Sequence, residues 1–309
     1  MNIDSSTRIA VLLPCYNEEA AIAATVAGFR AALPGAAIYV YDNNSRDNTC
    51  EAARQAGAIV RGERQQGKGH VVRRMFADVD ADVYIMADGD LTYDPKAAPA
   101  MVDLLLAEQF DMVVGTRRHE ASAAYRGGHV LGNRVFTELL SGLFGRTFSD
   151  IFSGYRVFSR RFVKSFPVLS SGFEIETEMS VHALELRMPV GEVETAYAAR
   201  PEGSESKLST YGDGWRILKT IVTLYRIERP VLFYGGIGAL LLLAAILLSI
   251  PLVVTYLNTG LVPRFPTAIL VTGMTIIAVL CVFAGLILDT VTRGRREVRR
   301  LAYLSLPAP

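Results

Sequence analysis

Between residues 8 and 115 the chain alternates short apolar runs with stretches in which apolar positions recur at helical spacing. The runs at 8–13, 37–41, 58–61, 82–87 and 111–115 predict strands, and the stretches between them predict helices near 18–33, 47–56, 68–78 and 96–108. Strand–helix alternation at this spacing argues an α/β domain, a mostly parallel sheet with helices on both faces. Open sheets of this kind take their ligands beyond the C-terminal ends of the strands. The loops that follow the apolar runs are therefore where chemistry is expected.

Beyond residue 229 the pattern changes. Residues 230–263 contain no Asp, Glu, Lys or Arg, and neither do 265–288. Each run exceeds the roughly 20 residues that a helix needs to cross a bilayer, and soluble helices seldom run so long without a polar face. A transmembrane hairpin is expected within 230–290, its spans near 232–256 and 267–288. Arg216, Lys219, Arg226 and Arg229 precede the first span, and Arg293, Arg295, Arg296, Arg299 and Arg300 follow the second. The loop between the spans carries only Arg264. The positive-inside bias then puts both chain ends in the cytoplasm, with 291–309 as a basic tail. In 212–229, Trp215, Leu218, Ile221, Val222 and Tyr225 recur at helical spacing among Arg216, Lys219 and Arg226. This reads as an amphipathic helix lying in the membrane interface, or as an ordinary helix packed on the preceding domain, 1–211.

Composition removes several classes. A net charge of +1 gives no field that would gather nucleic acid. Cys15, Cys50 and Cys281 are scattered, which excludes a disulfide framework and suits a reducing cytosol. The four histidines show neither metal-ligand spacing nor a nucleophile partner. A polar start running straight into a strand gives no export signal, so the catalytic part is expected to stay cytoplasmic.

The unusual residues do fall after the strands. Pro14-Cys15-Tyr16-Asn17-Glu18 follows the first, Asp42-Asn43-Asn44-Ser45-Arg46-Asp47 the second, and Asp88-Gly89-Asp90 the fourth. Gln66-Gly67-Lys68-Gly69 opens the third helix. Further on stand Asp150-Ile-Phe-Ser-Gly-Tyr-Arg156, Gly172-Phe-Glu-Ile-Glu-Thr-Glu178 and the RPEGSESKL segment that starts at Arg200. Each piece alone is weak, since an acid after a strand is often a helix cap. Together, in this order, the chain resembles the family 2 glycosyltransferases of the GT-A fold. Within them it is similar to the polyprenyl-phosphate sugar synthases, a group that includes dolichol-phosphate mannose synthases and bactoprenol glucosyltransferases. The likeness covers residues 8–211, and the two-span C-terminus resembles the bactoprenol branch.

The resemblance implies transfer of a sugar from a nucleotide-sugar to a polyprenyl phosphate at the bacterial inner membrane, with inversion. A UDP-hexose is the preferred donor, GDP remains open, and related proteins suggest a tetramer. Asp88 and Asp90 are hard oxygen ligands suited to Mg²⁺ or Mn²⁺, with Gly89 allowing the tight turn. Asp42 resembles the family's nucleobase contact, which Asn43 and Asn44 would extend, and Pro14, Tyr16 and Glu18 would shape the nucleoside pocket. Lys68, at a helix N-terminus beside two glycines, would meet an anion; the plainer reading is a solvated lysine. Asp150 is the candidate catalytic carboxylate, although an ionised phosphate is already a nucleophile, so Asp150 would then only orient. Glu174, Glu176 and Glu178 cannot all face one site, and at least one is expected on a solvated face. Arg117, Arg134, Arg200, Ser206 and Lys207 are expected to bind the phosphates, because two anionic substrates must be brought close. Processive polysaccharide synthases normally carry more spans and a QxxRW-type motif, which this sequence lacks. Transfer to a protein or soluble glycan would use the same donor site, and a nonenzymatic membrane scaffold could keep the fold without the chemistry.

Overall fold

A computed structural model describes residues 7–119, 148–172, 174–198, 218–219, 222–223 and 225–309. Arg134, Arg200, Ser206, Lys207 and half of the expected amphipathic helix, Trp215 included, lie outside the described residues.

The chain forms two compact units, 1–217 together with 298–309, and 218–297. In the first, β1 (Ile9–Cys15), α1 (Glu19–Ala32), β2 (Ala37–Asp42), α2 (Thr49–Gln55), β3 (Ile59–Gly62), α3 (Lys68–Asp78), β4 (Val83–Met86), α4 (Ala98–Ala107) and β5 (Met112–His119) follow the predicted alternation. Then come β6 (Arg156–Ser159), α5 (Arg160–Ser165), α6 (Ile175–Leu186) and β7 (Val190–Tyr197), which the hydrophobic pattern did not mark. The seven strands make one sheet in the order β3-β2-β1-β4-β6-β5-β7. All neighbours are parallel except β6, which runs antiparallel to both β4 and β5.

The reason for this arrangement is visible in burial. From Ala10 to Cys15 every residue of β1 is buried, as is the whole of β4, because helices cover both faces. Ile22, Val26 and Phe29 of α1 and Met101, Val102 and Leu105 of α4 pack on Val11, Leu13, Val83 and Ile85. The chain leaves β1 toward β2 on one side and returns to β4 on the other. The strand order therefore reverses at β1, and the crevice beyond β1 and β4 is the ligand position such sheets provide.

In the second unit, α7 (Pro230–Thr259) and the greater part of α8 (Phe265–Leu304) are, among the described residues, the two helices long and apolar enough to cross a membrane. Only 11% of either apolar window is buried, whereas a soluble core helix of such composition would be mostly covered. Besides Pro230 and Thr292, the buried positions are the small Gly238, Ala245, Ala278 and Gly285. A Cβ on Gly238 would stand 2.9 Å from the Ala278 carbonyl oxygen, so the helices touch where side chains are least. The basic tail is helical, continuing α8 to Leu304. Arg293 pairs with Asp289 one turn back, and Arg296 pairs with the nearly buried Glu228 at 3.0 Å. At its end the helix belongs with the first unit. There Arg299 meets Glu185 of α6 at 2.5 Å, and the Tyr303 hydroxyl donates to the buried Asp111 at 2.8 Å.

Candidate active site

The turn after β1 and the loop after β2 are laced together. Asn17, at φ 53°, accepts from the Arg46 N–H at 2.8 Å, its own N–H donates to Ser45 Oγ at 2.8 Å, and the Glu18 N–H donates to Thr49 Oγ1 at 2.8 Å. Pro14 and Glu18 are buried here and Tyr16 is half-buried. Asp42 Oδ2 accepts from the Ser45 N–H, closing a local turn. Its Oδ1 is buried with no hydrogen-bond partner among the described residues.

The two asparagines beside it serve the loop before α3. The buried Asn43 donates to the Glu63 and Gln65 carbonyls at 2.9 and 2.8 Å and accepts from the Gly67 N–H at 2.7 Å. Asn44, at φ 65°, donates to the Arg64 carbonyl and to Gln66 Oε1. Their amides hold the stretch that presents Lys68.

Lys68 is not solvated. Its ammonium lies 2.5 Å from Asp88 Oδ1 and 2.5 Å from Glu176 Oε1, with the lysine side chain 9% exposed and that of Glu176 5%. Burial works against the ammonium, but the two carboxylates outweigh it and hold its pKa above the ordinary lysine value. Burial likewise raises Glu176, which the lysine only partly offsets. Of the three acids of this element, Glu176 thus faces Lys68, while Glu178 accepts from the Leu169 and Ser170 N–H groups at 2.8 and 2.7 Å. Glu174 is half-buried and accepts from the Gly172 N–H. None of the three is a fully solvated face, because α6 is buried from Ile175 to Ala183.

Glycine is required at the acidic turn. A Cβ on Gly89 would overlap Cys15 Sγ, since the turn presses onto the end of β1. Asp90 is buried and accepts from the Thr92 N–H and hydroxyl at 3.2 and 2.6 Å. Among the described residues no group of three or more His, Cys, Asp or Glu could hold a metal. Asp88 and Asp90 fit the other common arrangement, in which one or two carboxylates hold Mg²⁺ or Mn²⁺ and substrate phosphates complete the shell.

The Asp150 segment closes the site from the other side. Asp150 takes Arg117 through two parallel hydrogen bonds, 2.6 Å from Nε and 2.8 Å from Nη2. Burial alone would raise its pKa, but the guanidinium outweighs that and holds the carboxyl below the usual carboxylate range. The Arg117 guanidinium also lies 5.5 Å over the Tyr197 ring, and Tyr197 packs on Tyr93. The Tyr93 hydroxyl accepts from the Gly154 N–H, and Ser153 Oγ donates to the Gly115 carbonyl. Arg156, fully buried, donates to the Ser153 and Ile151 carbonyls and to Ser180 Oγ, which clamps the loop. Burial lowers Arg156 to about 10. Gly154 is what joins the halves: a Cβ there would stand 2.9 Å from Asp88 Oδ2 and 3.2 Å from Lys68 Nζ. Asp88, Lys68, Glu176 and the Asp150 loop therefore share one floor. Glu176 and Tyr93 carried no assigned role in the sequence, and Tyr197 lies on a strand its pattern did not mark.

The arrangement has relatives. A model of glycosyl transferase family 2 matches residues 10–166. The chain belongs to that family. This glycosyltransferase is 34% identical over 232 residues to the glycosyltransferase AglJ of Haloferax volcanii, covering 74% of this chain and 76% of that one. It is 29% identical over 221 residues to a dolichyl-phosphate hexose transferase of the same organism, covering 72% of this chain and 95% of the relative. An uncharacterized protein of Shigella flexneri is 57% identical over 153 residues, half of this chain. Glucosyl-3-phosphoglycerate synthase of Mycobacterium tuberculosis superposes with a TM-score of 0.60 at 22% identity, covering 71% of this chain and 80% of that one. At that identity it shows the fold, GT-A. The resemblance to polyprenyl-phosphate sugar synthases is borne out by relatives of that description among the matches.

Proposed function

We propose that this glycosyltransferase moves a hexose from a UDP-sugar to the phosphate of a polyprenyl phosphate such as undecaprenyl phosphate, inverting the anomeric centre. The observation that carries the reading is the approach of Gly154 to Asp88, which joins the acidic turn to the loop of the Asp150–Arg117 pair. Two anionic substrates must meet in such a place, and the site supplies a cation on each side of it, Lys68 and Arg117.

Asp42 Oδ1 accepts from the base, while Pro14, Tyr16 and Glu18 wall the nucleoside. Asp88 and Asp90 hold Mg²⁺ or Mn²⁺ against the diphosphate, with Gly89 allowing their turn. That cation, when bound, neutralises the charge that grows on the leaving diphosphate. Lys68 adds its ammonium to the same phosphates, and Arg117 serves the acceptor phosphate, a role the sequence also assigns to Arg134, Arg200, Ser206 and Lys207. Asp150 does not act as a base in this account. It is ionised, its pKa is depressed, and both its oxygens are engaged by Arg117, so it aims that guanidinium instead. The acceptor oxygen needs no base, being ionised near neutral pH. The apolar helices α7 and α8 form a hairpin in the bacterial inner membrane, with catalytic residues and both termini cytoplasmic and with a surface for assembly into a homo-oligomer. Residues 1–211 form the catalytic domain and 212–229 a helix in the membrane interface.

The reading is tested by offering the purified protein labelled UDP- and GDP-sugars with undecaprenyl phosphate and Mn²⁺ or Mg²⁺. A lipid-linked monosaccharide that disappears with EDTA is the expected product; transfer undiminished by EDTA contradicts the role given to Asp88 and Asp90.

A further inference from the structure

The Lys68 ammonium is held by two carboxylates from distant parts of the chain, Asp88 after β4 and Glu176 in the first turn of α6. The second of them is not the only link between these elements. The starts of α3 and α6 are already interlocked through the backbone. The Gly69 N–H donates to the Ser171 carbonyl at 3.1 Å, a Cβ on Gly69 would overlap the Ser170 carbonyl oxygen, and Glu178 pins the N–H groups of Leu169 and Ser170. A buried ion pair is by itself a poor stabiliser, since desolvation cancels most of its attraction. The Lys68–Glu176 pair therefore calls for another explanation.

Asp88 supplies one. In the reading above, on which this inference rests, Asp88 turns to a divalent cation when the donor binds. A divalent cation on Asp88 weakens that carboxylate's hold on the ammonium, because two positive charges then stand close together. We propose that Glu176 is a positioning residue for Lys68. It keeps the ammonium on the site floor when Asp88 is drawn to the cation, and the N–H that Lys68 spends on Asp88 passes to the donor diphosphate. Lysine presents three rotatable donors from one point charge, which suits an exchange of partners without movement of the chain.

The test is the affinity for UDP in the presence of Mn²⁺, measured by calorimetry on the full-length protein in detergent. Glu176→Gln keeps the shape and removes the charge, and is expected to weaken UDP binding roughly tenfold, the scale of one hydrogen bond to a charged group. Its unfolding temperature should stay close to that of the wild type, which a merely structural role would not allow. In a Lys68→Met background the same substitution should change UDP affinity little, because the residue it positions is gone. Glu176→Asp, which keeps the charge and shortens the reach, should give an intermediate affinity, and it serves the same cycle should Glu176→Gln fail to fold. Wild-type affinity in Glu176→Gln, or an equal loss in the Lys68→Met background, overturns the proposal. A wild-type protein that binds no nucleoside diphosphate overturns the nucleotide-sugar reading and this inference with it.

Discussion

Gly154 lies against Asp88: a Cβ added to Gly154 would stand 2.9 Å from Asp88 Oδ2 and 3.2 Å from Lys68 Nζ. The turn that follows Asp150 is thereby held on the acidic turn, where the proposed function has both substrate phosphates meet. Gly154→Ala should push the Asp88 carboxylate aside while leaving the fold intact. Steady-state kinetics should show kcat lowered by about 10²-fold, the scale of an ångström-sized misplacement, with an unfolding temperature near that of the wild type.

Asp150 takes Arg117 through two hydrogen bonds and is ionised from below the usual carboxylate range upward. Its titration therefore cannot set an acidic limb near neutrality. Activity should instead rise with pH around 6, where a phosphate monoester loses its second proton. Asp150→Asn should raise the KM for the lipid phosphate more than that for the nucleotide-sugar and leave the position of this limb unchanged. A limb that shifts with the substitution would restore Asp150 as a base.

His182 is buried against Phe162 and Phe166, and burial lowers its pKa to about 3, with Arg299 adding to the effect. The unfolded chain binds a proton near pH 6.5 and the folded chain does not. The unfolded state thus carries more protons between about 3 and 6.5, and stability must fall as pH falls through that window. From pH 7 to pH 5 the loss from this group is about 2 kcal/mol. Thermal unfolding at the two pH values should show it, and His182→Leu should flatten the dependence.

The end of α8 completes the first unit. Arg299 is the 2.5 Å partner of Glu185, whose side chain is only 2% exposed. Arg299→Ala leaves that carboxylate buried without the guanidinium and should cost about 3–5 kcal/mol. Thermal melts of the two proteins would measure it, and an unchanged melt would show that the helix end is dispensable.

What was legible in the sequence follows from what each residue contacts. β1 and β4 could be read because strands covered on both faces are apolar throughout, and β2, β3 and β5 because short apolar runs recur between the helices. β6 is four residues long and antiparallel between two parallel runs, so no alternation pattern marked it. β7 lies at the sheet edge, and its exposed Glu192 and Glu194 hide it. Asp88, Gly89 and Asp90 stood out because a turn after a strand is a local feature. The burial of Lys68 did not, because its partner Glu176 comes from far along the chain, and spacing alone cannot choose among Glu174, Glu176 and Glu178. The pairing of Arg117 with Asp150 is equally non-local.

The central claim, that a lipid phosphate receives the sugar, is tested most directly by changing only the acceptor's head. Wild-type protein would be given one labelled nucleotide-sugar with undecaprenyl phosphate, with undecaprenol, or with a soluble glycan, and the organic-phase product counted. The account predicts labelled lipid with undecaprenyl phosphate alone. Equal transfer to undecaprenol or to the glycan, or none to the phosphate by a protein that binds the nucleotide-sugar, would contradict it.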